Sequence, residues 1–253
     1  MAEGTASHAA GLLTKAYHKY QTVVGMGNLI GDTSDGYYFI VGNGNGNYAN
    51  GSDLDRNNAF AVNKNGNIYS GSSNVQGADY AEYYEWLDSN PNNEDRRGYF
   101  VTFEGNKIRK ANSSDDYILG IISSTPAVVG NNYNDSWCKK YQTDIFGKII
   151  YQEVLIPAEY DQEGNEIEPE RVEKHPILNP DYDPRQPYVS RADRPEWDIV
   201  GTHGQLITID DGTCIVNGYA KVTDKGTATY SGEKTDFRVI ERLNETHIRI
   251  VLK

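Results

Sequence analysis

Positive charge, cysteine and long apolar runs are all scarce in this 253-residue chain, and each shortage removes a class of function. Lys and Arg number 24 against 36 Asp and Glu, a formal net charge of −12. Proteins that bind nucleic acid need clustered cations to displace counterions from phosphates, so no nucleic-acid partner is expected. No apolar run approaches the ~20 residues that a spanning helix needs, and Met1-Ala2-Glu3-Gly4 is not a basic flank leading into an apolar segment. Neither membrane insertion nor a secretion signal is expected. The two cysteines, Cys138 and Cys214, stand far apart with no Cys-x-x-Cys or Cys/His spacing around them, so both read as free or buried thiols rather than zinc ligands or a disulfide. His8, His18, His175, His203 and His247 are scattered, and Asp115-Asp116 and Asp210-Asp211-Gly212 lack the spaced oxygen ligands of a calcium loop. No metal and no cofactor is expected.

What is plentiful is tyrosine, 19 against 6 Phe, together with 25 Gly. That mixture favours strands and tight turns over helices. The first residues carry a seven-residue step of small side chains, Ala2-Glu3-Gly4, Ala9-Ala10-Gly11, Ala16-Tyr17-His18 and Val23-Val24-Gly25. A coiled coil needs large apolar residues at two positions per heptad, so the step reads as stacked short strands joined by turns, as in a parallel β-roll. Residues 28–69 alternate apolar runs with Asn-Gly signals at 43–44, 45–46 and 65–66, a hairpin pattern. Further strand patterns fall at 99–103, 107–109, 117–122, 205–209, 237–240 and 247–251. Pro157, Pro169, Pro176, Pro180, Pro184, Pro187 and Pro195, set among dense acidic residues, block long helices and interior strands between 157 and 198. This stretch reads as an extended arm or long loop.

Read in order, these features resemble the C-terminal part of phage and prophage neck-appendage, tail-spike and tail-fibre proteins, which end in an autoproteolytic intramolecular chaperone domain of the peptidase G2 type. The resemblance is carried by Gly77-Ala78-Asp79-Tyr80-Ala81-Glu82-Tyr83, Glu94-Asp95-Arg96-Arg97-Gly98-Tyr99-Phe100-Val101-Thr102, Asp116-Tyr117-Ile118-Leu119-Gly120, Arg194-Pro195-Glu196-Trp197-Asp198 and Asp210-Asp211-Gly212-Thr213-Cys214. The opening Ser7-His8-Ala9-Ala10-Gly11 is similar to the repeats of trimeric fibre heads.

The expected fold is mainly β: β-roll repeats over 1–27, a hairpin connector with a cleavage linker over 28–75, and a chaperone and autocleavage domain over 76–253. The resemblance implies a homotrimer whose last domain templates the upstream fibre or appendage segments and then cuts itself off. It also implies a virion protein made in the bacterial host cytoplasm. Trimerisation would cover the strand edges that short Gly-rich strands leave exposed.

Autocleavage needs a nucleophile, a proton donor for the leaving nitrogen and one bond made special by position. The candidate cleavage region is Ser70, Gly71, Ser72, Ser73 and Asn74, within a window of 70–78. One of its serines could attack the preceding carbonyl, or a carboxylate could activate water. The resemblance implies an acidic catalytic pair, and the matching positions are Asp79 and Glu82, one as general base and the other as general acid. In a helix those two share a face; in a strand they point to opposite sides, and the pair must then close between chains or through a bend. The competing reading is a non-enzymatic, receptor-binding fibre tip. There Trp137, Trp197 and the tyrosines would stack a host-surface glycan, although packing explains the same aromatics.

Overall fold

In the computed structural model, which describes residues 1–29, 36–44, 56–132, 140–185 and 187–253, the chain divides into two compact units, Met1–Val75 and Gln76–Lys253. Cys138, Trp137 and the Asn45-Gly46 turn signal lie outside the described residues.

Small side chains set the first unit. Strands β1 (His8–Leu12), β2 (Thr22–Met26) and β3 (Tyr37–Asn43) run parallel, and β4 (Asn58–Asn63) and β5 (Ile68–Ser70) continue the sheet antiparallel. Ala9 pairs with Val23 and Ala2 bridges Ala16, so the first rung advances fourteen residues, two of the seven-residue steps, whereas the next, from Val23 to Ile40, advances seventeen. The buried cluster Ala16, Val23, Ile40 and Ala61 forms its core. The rungs close tightly at Gly11, Gly25 and Gly42, which stand in register; a Cβ at Gly11 would overlap the Gly25 carbonyl, and one at Gly25 the Gly42 carbonyl. Residues 1–27 and 28–75, expected as separate segments, thus share one sheet.

The second unit contains β6 (Asp79–Glu85), β7 (Phe100–Glu104), β8 (Lys107–Lys110), β9 (Gly120–Ile122) and β10 (Val128–Gly130). Two hairpin pairs follow, β11 (Tyr151–Ile156) with β14 (Arg171–Pro176) and, between them, β12 (Glu159–Tyr160) with β13 (Glu166–Glu168). The chain returns through the long β15 (Trp197–Ile209) and ends in β16 (Tyr219–Val222), β17 (Ala228–Ser231), β18 (Phe237–Arg242) and β19 (His247–Leu252). The Pro-bearing stretch therefore holds strands. Pro157 and Pro169 directly follow β11 and β13, and Pro176 closes β14, positions where a missing N–H does not interrupt the ladder.

The principal sheet runs β17-β16-β18-β19-β15-β9-β7-β8, and β6 pairs antiparallel with β15 and parallel with β10. Its middle strands are buried on both faces. Phe100 and Ile121 enter one cluster with Leu206, Val239 and Ile250; their neighbours Val101 and Ile122 enter another with Trp86, Ile108 and Val200. Burying each such side chain contributes about 1.5–3 kcal/mol, and this two-sided core fixes β15 and β9, the strands that flank the candidate site. Residues 117–119, expected as strand, lie just before β9.

Candidate functional site

The stretch 78–86, open between helix and strand in the sequence, is strand β6, and its burial alternates with period two. Asp79, Ala81 and Tyr83 are buried while Tyr80 and Glu82 are not. Asp79 and Glu82 therefore project from opposite faces of β6, and one chain does not bring the expected pair together.

Asp79 is 6% exposed, and its Oδ2 has no hydrogen-bond partner. Burial pushes its carboxyl above the usual range. Its backbone is held from two sides: Ala127 N donates to Asp79 O at 2.8 Å, and Gln205 N donates to Ala78 O at 3.0 Å. Two glycines of β15 make this close approach possible. A Cβ at Gly204 would overlap Ala78 O, and one at Gly201 would stand 2.9 Å from Asp79 Oδ2. Between them the register slips from Gly201 to His203, so Thr202 is an extra residue in the ladder, a bulge of the kind that re-aims neighbouring side chains. Asp79 borders a cavity of about 730 Å³ together with Gln76, Gly77, Ala78, Ser123 and Thr125.

Glu82 lies in different surroundings. Tyr80 Oη donates to its Oε1 at 2.6 Å and Tyr84 Oη to its Oε2 at 3.2 Å. Burial and the Glu82 carboxylate push the Tyr84 phenol up to about 12. Gly130 of β10 packs against this group, where a Cβ would come within 2.7 Å of Tyr80 Oη.

The cleavage-region residues belong to the first unit. Ser70 ends β5, and Gly71, Ser72, Ser73 and Asn74 follow it, exposed and outside regular structure. Among the described residues no side-chain base of the same copy is hydrogen-bonded to Ser70, Ser72 or Ser73.

Two of the sequence blocks meet beside Trp86. Its Nε1 donates to Asp198 Oδ2 at 2.8 Å, and the Arg96 guanidinium stacks over its ring at 4.3 Å while pairing with Asp88 at 2.7 Å and Glu94 at 3.0 Å. Burial raises the Asp198 carboxyl, whereas Arg96 holds Asp88 below the usual range. Sequence reasoning missed Ser123 and Gly201. The only available signal was a glycine inside a strand pattern, which marks a bulge or a close backbone approach; nothing local distinguishes Ser123. Cys214 is buried and its thiol is pushed upward by burial. Among the described residues no cluster of three metal-ligating side chains occurs.

With this geometry in place, comparison with known proteins is informative. The family model for Peptidase_G2, IMC autoproteolytic cleavage domain, matches residues 22–246. The pre-neck appendage protein of Bacillus phage B103 is 39% identical over 142 residues, covering 56% of this chain and 15% of that protein, so the chain spans a small part of that relative's length. The crystal structure of the bacteriophage phi29 gene product 12 C-terminal fragment shares 31% identity with a TM-score of 0.54, covering 69% of this chain and all of that one. The pre-mature phi29 gene product 12 matches in fold, with a TM-score of 0.72 at 24% identity, over all of this chain and 32% of that chain.

Proposed function

This chain belongs to the Peptidase_G2 family of IMC autoproteolytic cleavage domains, and from that premise we propose that it assembles a phage appendage as a homotrimer and then releases itself by cutting its own backbone within residues 70–78. The upstream partner is the remainder of an appendage or fibre like those of its phage relatives. Its place is the virion, reached after synthesis in the bacterial host cytoplasm. One observation carries the catalytic part: a buried carboxyl with an unpartnered oxygen borders the same cavity as Gln76, Gly77 and Ala78, the residues at the end of the cleavage window.

The chemistry is hydrolysis, a single turnover on the chain's own peptide. Water's oxygen adds to the carbonyl carbon, the C–N bond breaks, and the nitrogen leaves with a proton. Asp79, whose carboxyl is pushed above the usual range by burial, supplies that proton. Glu82 accepts the proton of the attacking water. Since the two point to opposite faces of β6, Glu82 of one copy serves the Asp79 cavity of the next. Two different surfaces then meet head to tail, a contact that closes as a ring when the rotation allows, and a threefold ring satisfies every copy. Autolysis consequently follows assembly.

Intact-mass and native-mass spectrometry over time test this on the wild-type, Asp79→Asn and Glu82→Gln chains. The wild type is expected to cut within 70–78, and each variant to trimerise while losing cleavage by at least ~100-fold. Uncut wild-type trimers at every pH would instead favour the non-enzymatic, glycan-binding tip.

A further inference from the structure

Tyr80, Glu82 and Tyr84 alternate along β6 and so share its outer face. Same-face neighbours on a strand stand about 7 Å apart, a gap that a phenol spans. Tyr80 Oη reaches forward to Glu82 Oε1 at 2.6 Å, and Tyr84 Oη reaches back to Oε2 at 3.2 Å. Each carboxylate oxygen thus has its own hydroxyl.

The neighbouring strands make room for this grip and brace it. β10 pairs parallel with β6, with Gly130 opposite Glu82. A Cβ at 130 would come 2.7 Å from Tyr80 Oη and 2.9 Å from Glu82 Cγ. On the other side, Phe103 of β7 meets the Tyr84 ring edge-to-face at 5.4 Å, and Tyr117 stacks on Phe103 at 6.2 Å. The hydrogen bond to Glu82 holds the Tyr80 phenol above its usual range, and burial together with the Glu82 carboxylate pushes Tyr84 up to about 12. Both phenols therefore remain protonated donors at neutral pH.

A carboxylate offers about four lone-pair positions, so two phenols leave room for a water. What they remove is rotamer freedom, and a base whose substrate lies on another chain gains most from being oriented beforehand. Resting on the reading of Glu82 as the base that serves the next copy, we propose that Tyr80 and Tyr84 are positioning residues for self-cleavage, gripping the two carboxylate oxygens so that Glu82 is presented to the neighbouring copy in one orientation. Tyr80 is the stronger hold. Its 2.6 Å separation is that of a hydroxyl bound to an ionised oxygen, about 2.5–2.7 Å, whereas 3.2 Å is long for a hydroxyl donor.

The test uses mixed trimers of two mass-tagged full-length chains. One is Asp79→Asn, which keeps Glu82; the other is Glu82→Gln, which keeps Asp79 and is the chain cut. Cutting is followed by intact mass, and native mass establishes equal assembly. Tyr80→Phe on the Glu82-bearing chain is expected to slow cutting of its partner about tenfold, the rate equivalent of one lost hydrogen bond to a charged group, and Tyr84→Phe there by less. On the chain that is cut, residue 82 is Gln and Tyr80→Phe has no carboxylate to release, so the rate should stay that of the parent mixed trimer. Slowing by the same factor from either chain would make the phenol a support of the fold and overturn the proposal. So would an unchanged rate with both tyrosines replaced on the Glu82-bearing chain, which leaves the shared pair standing. Parent mixed trimers that stay whole while wild-type trimers cut would overturn the shared pair and the proposal with it.

Discussion

The two faces of β6 give neighbouring carboxylates of one motif opposite fates. On the inner face, Asp79 is buried without a partner for Oδ2, next to a fully buried Ala81. On the outer face, Glu82 is half-buried and receives two phenol hydroxyls. The inner face carries a carboxyl oxygen without a partner, at a cost in stability; on the outer face the carboxylate is satisfied. The difference arises from strand geometry alone, because an odd separation of three residues sends one side chain to each face.

The sharpest way to separate the faces is to perturb each. Ala81 has no accessible surface, so Ala81→Leu should cost about 1–3 kcal/mol by overpacking, read as a lower denaturant midpoint. A cost near zero would mean the inner face is not packed. A smaller effect concerns pH. Because the folded-state pKa of Asp79 is raised, the folded chain holds an extra proton between the ordinary Asp value of about 4 and that raised value. Its contribution to stability therefore falls as pH rises through that window. Relative to Asp79→Asn, the wild-type melting temperature should decline as pH rises from about 4 through that window; a constant difference would show that Asp79 does not titrate abnormally. Asp198, Asp88 and Glu94 titrate in both chains and cancel. Smallest is the outer face: Tyr84→Phe removes one hydroxyl from Glu82 and should cost about 0.5–1.5 kcal/mol. A loss several times larger would place Glu82 in a buried network instead.

Much of the β pattern was legible because alternation and turn residues are local signals. The run 99–103 became Phe100–Glu104, 107–109 became Lys107–Lys110 and 247–251 became His247–Leu252. The run 205–209 was only the end of the thirteen-residue β15, since the part before it carries Gly201 and Gly204, which weaken a strand pattern while admitting β6. The proline-bearing stretch hid its hairpins because the prolines stand at strand ends and in turns. The motif drew attention to Asp79 and Glu82, but their separation onto two faces depended on a helix-or-strand choice that tertiary pairing with β15 decided. Ser123 was illegible because it borders the same cavity as Asp79 from 44 positions away in sequence, a placement that follows from strand order.

Complementation tests the central claim most directly. Asp79→Asn and Glu82→Gln chains, each expected to be inactive alone, are co-expressed with distinguishable mass tags, and the mixed trimers are isolated and followed by intact mass. If the catalytic pair closes between copies, a mixed trimer juxtaposes one intact Asp79 with one intact Glu82, and cleavage returns in the chain that retains Asp79. Mixed trimers that stay wholly uncut, while wild-type trimers cut, would contradict a pair shared between chains.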